Sequence, residues 1–151
     1  MKKILVKVKL QLYEKPYKEY LSILYLLQVS LFSMVTGGFL IVKGDEIIEQ
    51  SKTYKLMANL MTMDTWGFLF VISSVLIFIA AFQETKTKFI NMLIGGLIGV
   101  FVLFLYASAS AESQATQLWS IRYGLSACFN LFVSIAGGWE LWRMKKIEKD
   151  M

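Results

Sequence analysis

Four long apolar stretches, separated by short polar links, set the pattern of this chain. The first runs over about 20–42, with no charge between Glu19 and Lys43. The second covers about 65–82, between Asp64 and Glu84, and the third about 89–107. The fourth covers about 118–142, with Arg122 near its start and Glu140 near its end. A bilayer core about 30 Å thick is crossed by roughly 20 helical residues rising about 1.5 Å each. Inside hydrocarbon every backbone N–H and C=O needs an internal partner, so such spans are helices. The second and third stretches lack the polar face that a helix of a soluble bundle presents to water. The pattern therefore predicts an all-α fold: residues 1–151 form a single membrane domain, an integral membrane four-helix bundle.

The segments between the spans carry weaker patterns. A basic amino-terminal segment, 1–15, alternates apolar and polar residues over 4–12. That alternation suits a strand, and the same residues suit an amphipathic helix on the inner leaflet. Both readings stay open. Pro16 suits the first turn of the following helix, where its missing N–H costs nothing. In the loop after the first span, residues 51–63 place Tyr54, Met57 and Met61 at helical spacing. This predicts a short outer interfacial helix, capped by Ser51 or Thr53, on the outer leaflet or roofing the bundle. Tyr54, Met57 and Met61 are its candidate partner surface, since methionine adapts to irregular partners. The run Ala107-Ser108-Ala109-Ser110-Ala111 is expected to be a flexible outer turn.

Small and polar residues recur at spacings of four inside the spans. They are Gly95 and Gly99 in the third, and Ser126, Asn130, Ser134 and Gly138 in the fourth. Residues four apart lie nearly above one another on a helix, and a Gly-x-x-x-Gly pair lets two backbones approach closely. These stripes are expected to face protein, either within one chain or across an oligomer seam. Span one adds Ser30, Ser33 and Gly37.

Charge supplies an orientation. The net charge is +5, which first suggests an anionic partner. Twelve basic residues precede span one, join spans two and three, or follow span four: Lys2, Lys3, Lys7, Lys9, Lys15, Lys18, Lys86, Lys88, Arg143, Lys145, Lys146 and Lys149. Four fall on the other side: Lys43, Lys52, Lys55 and Arg122. By the positive-inside rule both termini lie in the cytoplasm of a multi-pass inner-membrane protein. Anionic headgroups at the cytoplasmic face account for the basic balance, and no nucleic-acid motif is present. Trp66, Trp119, Arg122, Trp139 and Trp142 are the expected interface anchors, because amphipathic rings sit at headgroup level and Arg122 can snorkel there. Arg122 can also meet Asp64 or Glu112. The amino terminus lacks a small-residue cleavage site and is not read as a cleaved secretory signal.

Composition narrows the chemistry. With 56% hydrophobic residues and a mean hydropathy of +0.55, the apolar excess is too large for one soluble core of this size. The chain has no histidine and one cysteine, Cys128, which excludes an internal disulfide and a Cys/His zinc site. Cys128, mid-span, is expected to be an inert packing residue. No cofactor, metal cluster or catalytic constellation is legible, and the spans lack the midplane carboxylates of coupled carriers.

Tyr54-Lys55-Leu56-Met57, followed by Asp64-Thr65-Trp66-Gly67 and an apolar run, resembles a pattern in small four-span membrane proteins of tailed bacteriophages. There a Tyr-x-x-Met segment precedes an acidic residue and a Trp-Gly pair at the mouth of the second span. A proline or serine commonly stands shortly before the tyrosine, and Ser51 stands here. The resemblance implies a phage or prophage origin more than an activity. The leading expectation is a non-enzymatic, holin-like protein that permeabilises the membrane as a homo-oligomer through Gly95, Gly99, Ser126, Asn130 and Ser134. The alternative is an interaction protein binding a host or viral membrane partner, for superinfection exclusion or as an assembly scaffold. A small-molecule channel is third.

Overall fold

A computed structural model describes residues 17–113 and 117–150. The described residues form five helices joined by short links. They are α1 (Tyr17–Ile48), α2 (Lys52–Leu60), α3 (Met63–Phe82), α4 (Lys86–Glu112) and α5 (Gln117–Asp150). Segment 4–12 and Pro16 lie outside the described residues.

Each helix runs past the apolar stretch that announced it. Hydrogen bonding along the backbone continues wherever propensity allows, whether or not the residues are apolar. The expected turn over 107–111 is instead the last part of α4. Alanine is the best helix former, and the Ser108 hydroxyl donates to the Phe104 carbonyl at 2.9 Å rather than opening the chain. The short helix ends earlier than its spacing suggested. Met61 is extended, at φ −153° and ψ 157°, and Met63 already begins α3. Thr62 caps α3 by accepting from the Thr65 N–H at 3.3 Å, while Asp64 in the first turn complements the helix dipole. Ser51 stands at the N-cap of α2 without a side-chain cap bond. The Thr53 hydroxyl instead shares a 2.6 Å hydrogen bond with Ser113, tying α2 to the end of α4.

Among the described residues three helices are long and apolar enough to cross a membrane: α1 (from Glu19), α3 and α4. The 34-residue α5 is not among them, because Arg122, Ser126, Asn130, Ser134 and three glycines dilute its apolar run. The four long helices pack in the order α1, α3, α4, α5, with α2 roofing one end against α1 and α4. Contact is extensive between α4 and α5 and between α1 and α3, lesser between α3 and α4, and slight between α1 and α5. Glycine makes the tight contacts possible. A Cβ on Gly37 would lie 2.8 Å from the Gly67 carbonyl oxygen, and one on Gly96 would lie 2.8 Å from the Asn130 carbonyl oxygen. Two clusters form the core. One, at the roofed end, gathers Leu40, Met57, Met63, Trp66, Phe70, Leu103, Tyr106 and Tyr123. The other, at the far end, gathers Ile23, Leu26, Ile77, Ala80, Met92 and Val133. Many large apolar residues face outward, among them Val35, Phe68, Leu97, Phe104, Leu125 and Phe132. Such a surface is compatible with lipid and costly in water.

Candidate functional site

Of the residues expected at helix contacts, Gly95, Gly99, Asn130 and Ser134 are engaged within the chain, while Ser126 bonds the Arg122 carbonyl of its own helix and lines a hollow. Gly95 faces α3, where the Ser73 hydroxyl donates to its carbonyl at 2.8 Å. Gly99 lies against the Asn130 side chain of α5. Asn130 is 1% exposed; its Nδ2 donates to the Ser126 carbonyl at 3.0 Å, and its Oδ1 has no hydrogen-bond partner. Ser134 is buried against Gly96. Gly138 is a correction: the close contact belongs to Gly137, where a Cβ would lie 2.7 Å from the Phe89 carbonyl oxygen. One residue along a helix turns the side chain by about 100°, which moves Gly138 to the edge of the interface, with only the Leu93 side chain 3.5 Å from its Cβ. The Gly37-Gly38 pair behaves alike, with Gly37 at the contact and open space beside Gly38.

The anchors divide. Trp119, Trp139 and Trp142 expose their rings. Trp139 and Trp142 pack with centroids 5.4 Å apart, and Lys146 lies over Trp142 at 5.7 Å. Glu140 pairs with Arg143 at 2.7 Å. Trp66 is a correction: it is 0% exposed and cannot meet headgroups. Its Nε1–H donates to the Met57 carbonyl at 3.0 Å, locking α2 onto α3. The expected partner surface is corrected in the same way. Met57 is 0% exposed, Met61 packs on the core, and the half-buried Tyr54 accepts from the Tyr106 hydroxyl at 3.0 Å. The partner that this face found is the bundle itself. Tyr54, Met57, Trp66 and Gly67 thus join α2, α3, α4 and α1, since Gly67 receives Gly37. Cys128 is a further correction: it is exposed on α5 rather than packed.

What sequence spacing did not announce is the seam between α1 and α5. Gln28, Val29 and Phe32 form one wall; Arg122, Ser126, Phe129 and Asn130 form the other, around a hollow of about 210 Å³. Two clasps bound it. At one end the Tyr25 hydroxyl donates to the Phe129 carbonyl at 3.0 Å, with the two rings edge-to-face at 6.0 Å. At the other the Arg122 guanidinium carbon sits 5.4 Å from the Phe32 centroid and 5.8 Å from that of Trp119. Neither Asp64 nor Glu112 meets Arg122, and it has no ion pair among the described residues. The available signal was the set Tyr25, Gln28, Val29, Phe32 at offsets of three, four and seven, the spacing of one helix face.

A second hollow of about 160 Å³ lies under α2, lined by Ser51, Thr53, Tyr54, Tyr106, Ser110, Trp119 and Tyr123. Its rings are mutually engaged, with Tyr106 and Tyr123 centroids 4.0 Å apart. Among the described residues no group of His, Cys, Asp and Glu side chains is placed to hold a metal ion. No protein-family model matches the chain, and no curated protein or solved structure matches it significantly.

Proposed function

We propose that the chain is a four-span protein of the cytoplasmic membrane, both termini inside, that acts without catalysis as a binding module within the bilayer. One observation carries the reading. Three of the four contacts in the ring of long helices are packed along their length, while the α1–α5 seam is loose and contains a cation and polar side chains. Such groups are expensive in hydrocarbon and are usually retained for use. The fourth span is supported by packing: α5 lies along α4, itself apolar enough to cross, and so shares its surroundings. The distribution of lysine and arginine supports the orientation. Reporter fusions test it. A reporter active only outside the cell, fused after residue 151, should stay silent, and one inserted within 43–51 should be active. A reversal of either sinks the reading.

A second reading, permeabilisation by a holin-like homo-oligomer of phage origin, draws on a different observation. Gly124 of α5 has open space beside it and Gly138 only the Leu93 side chain, with Cys128 exposed on the same helix. Small outward positions permit close approach of another helix. On this reading Cys128 cross-links copies under mild oxidation, and induced expression admits a membrane-impermeant dye. Intact membranes and an uncross-linked chain count against it.

A further inference from the structure

We infer that the α1–α5 seam is a binding site for one anionic phospholipid, with its phosphate on Arg122 and an acyl chain in the hollow. The inference rests on the reading that α5 crosses the bilayer.

Arg122 stands five residues into α5, about 8 Å from its first residue along the axis. At that depth a guanidinium needs an anion or water. No carboxylate among the described residues supplies one. Phe32 and Trp119 hold the charge by cation–π attraction, which orients it but does not neutralise it. Its N–H donors form a planar fork suited to two phosphate oxygens. The walls around it are mixed. Val29, Phe32 and Phe129 are apolar, while Gln28 and Ser126 are polar and open to the hollow. Ser126 has its proton on the Arg122 carbonyl at 2.9 Å, and Gln28 has no hydrogen bond among the described residues. A cation, polar groups and apolar walls in one hollow match the phosphate, ester and chain of a phospholipid. On the orientation proposed above this headgroup lies in the outer leaflet, where the fork of Arg122 rather than the cytoplasmic surface potential selects it.

Size decides against the other occupants. A helix is about 10–12 Å across with its side chains, and both clasps would have to break to seat one in a hollow of about 210 Å³. Free phosphate has no use for the apolar walls.

The test uses the full chain in nanodiscs of mixed phosphatidylglycerol and phosphatidylcholine, with retained lipid counted by native mass spectrometry after detergent extraction. The wild-type chain should keep one phosphatidylglycerol, favoured roughly tenfold over phosphatidylcholine, as expected for a charge-assisted contact. Arg122→Gln should abolish that preference, and Arg143→Gln, at the far end of α5, should leave it unchanged. Ser126→Leu fills the hollow while keeping the charge, and should also lose the lipid. A wild-type chain that does not discriminate, an Arg122→Gln chain that still does, or a lipid-free dimer overturns the site. Cys128, the single cysteine, separates the two levels of the claim in the same nanodiscs. Protection from a water-soluble maleimide with no lipid preference overturns the lipid site alone. Labelling of Cys128 overturns the fourth span and the site with it.

Discussion

The two sides of α5 are built differently. Toward α4 the contact runs backbone to backbone. Gly96 and Gly137 remove the side chains that would hold the helices apart, and Asn130 and Ser134 lie buried in the join. Toward α1 the helices stand off, and long side chains bridge the gap: Tyr25 to the Phe129 carbonyl, Arg122 to Phe32. Close approach gains many small dispersion contacts at fixed geometry, and a defect anywhere along it is felt. A bridge of rings and one charge can re-form around an inserted molecule. The same helix therefore has one side suited to permanent packing and one suited to exchange.

The sharpest way to break this contrast is to enlarge adjacent glycines. Gly137→Leu should cost about 3 kcal/mol, because its Cβ meets the Phe89 carbonyl and the Leu93 N–H. Gly138→Leu should stay within about 0.5 kcal/mol, since only the Leu93 side chain, 3.5 Å from its Cβ, is near. Reversible unfolding in mixed micelles measures both, and equal losses would show that the α4–α5 contact is not a close join of backbones. Trp66→Phe is next, at about 2 kcal/mol. It keeps a ring but loses the bond to the Met57 carbonyl, which still accepts from the Met61 N–H at 3.1 Å. Limited proteolysis should show α2 loosening first. Tyr25→Phe has the smallest effect on stability, about 0.6 kcal/mol or less, because the clasp is solitary and exposed. Its signature lies elsewhere: spin labels on α1 and α5 should report a broader distance distribution, while labels on α4 and α5 report no change.

Much of the helical layout was legible because apolar length and turn spacing are local properties. The Gly95 and Gly99 stripe is legible as a close-packing pattern, yet its neighbours, Ser73 and Asn130 of two different helices, lie far off in sequence. Trp66 was misread for an instructive reason. An indole at the mouth of a span suits headgroups in general, and only the return of α2 over the bundle buries it. Met57 was misread with it, since helical spacing gives a face without saying which way the face turns. Arg122 was read as a snorkelling or paired charge, because sequence supplies carboxylates on the same side but not their distance.

The sequence by itself determined that long apolar helices dominate this chain, and it placed the small residues that let helices approach. Hydropathy and helical period depend only on neighbours along the chain, so no fold is needed to read them. Only the tertiary structure decided which glycine of each pair is at a contact and which side of the bundle stays loose. A rotation of about 100° per residue and the choice of neighbouring helix set those outcomes. Neither is encoded in local spacing.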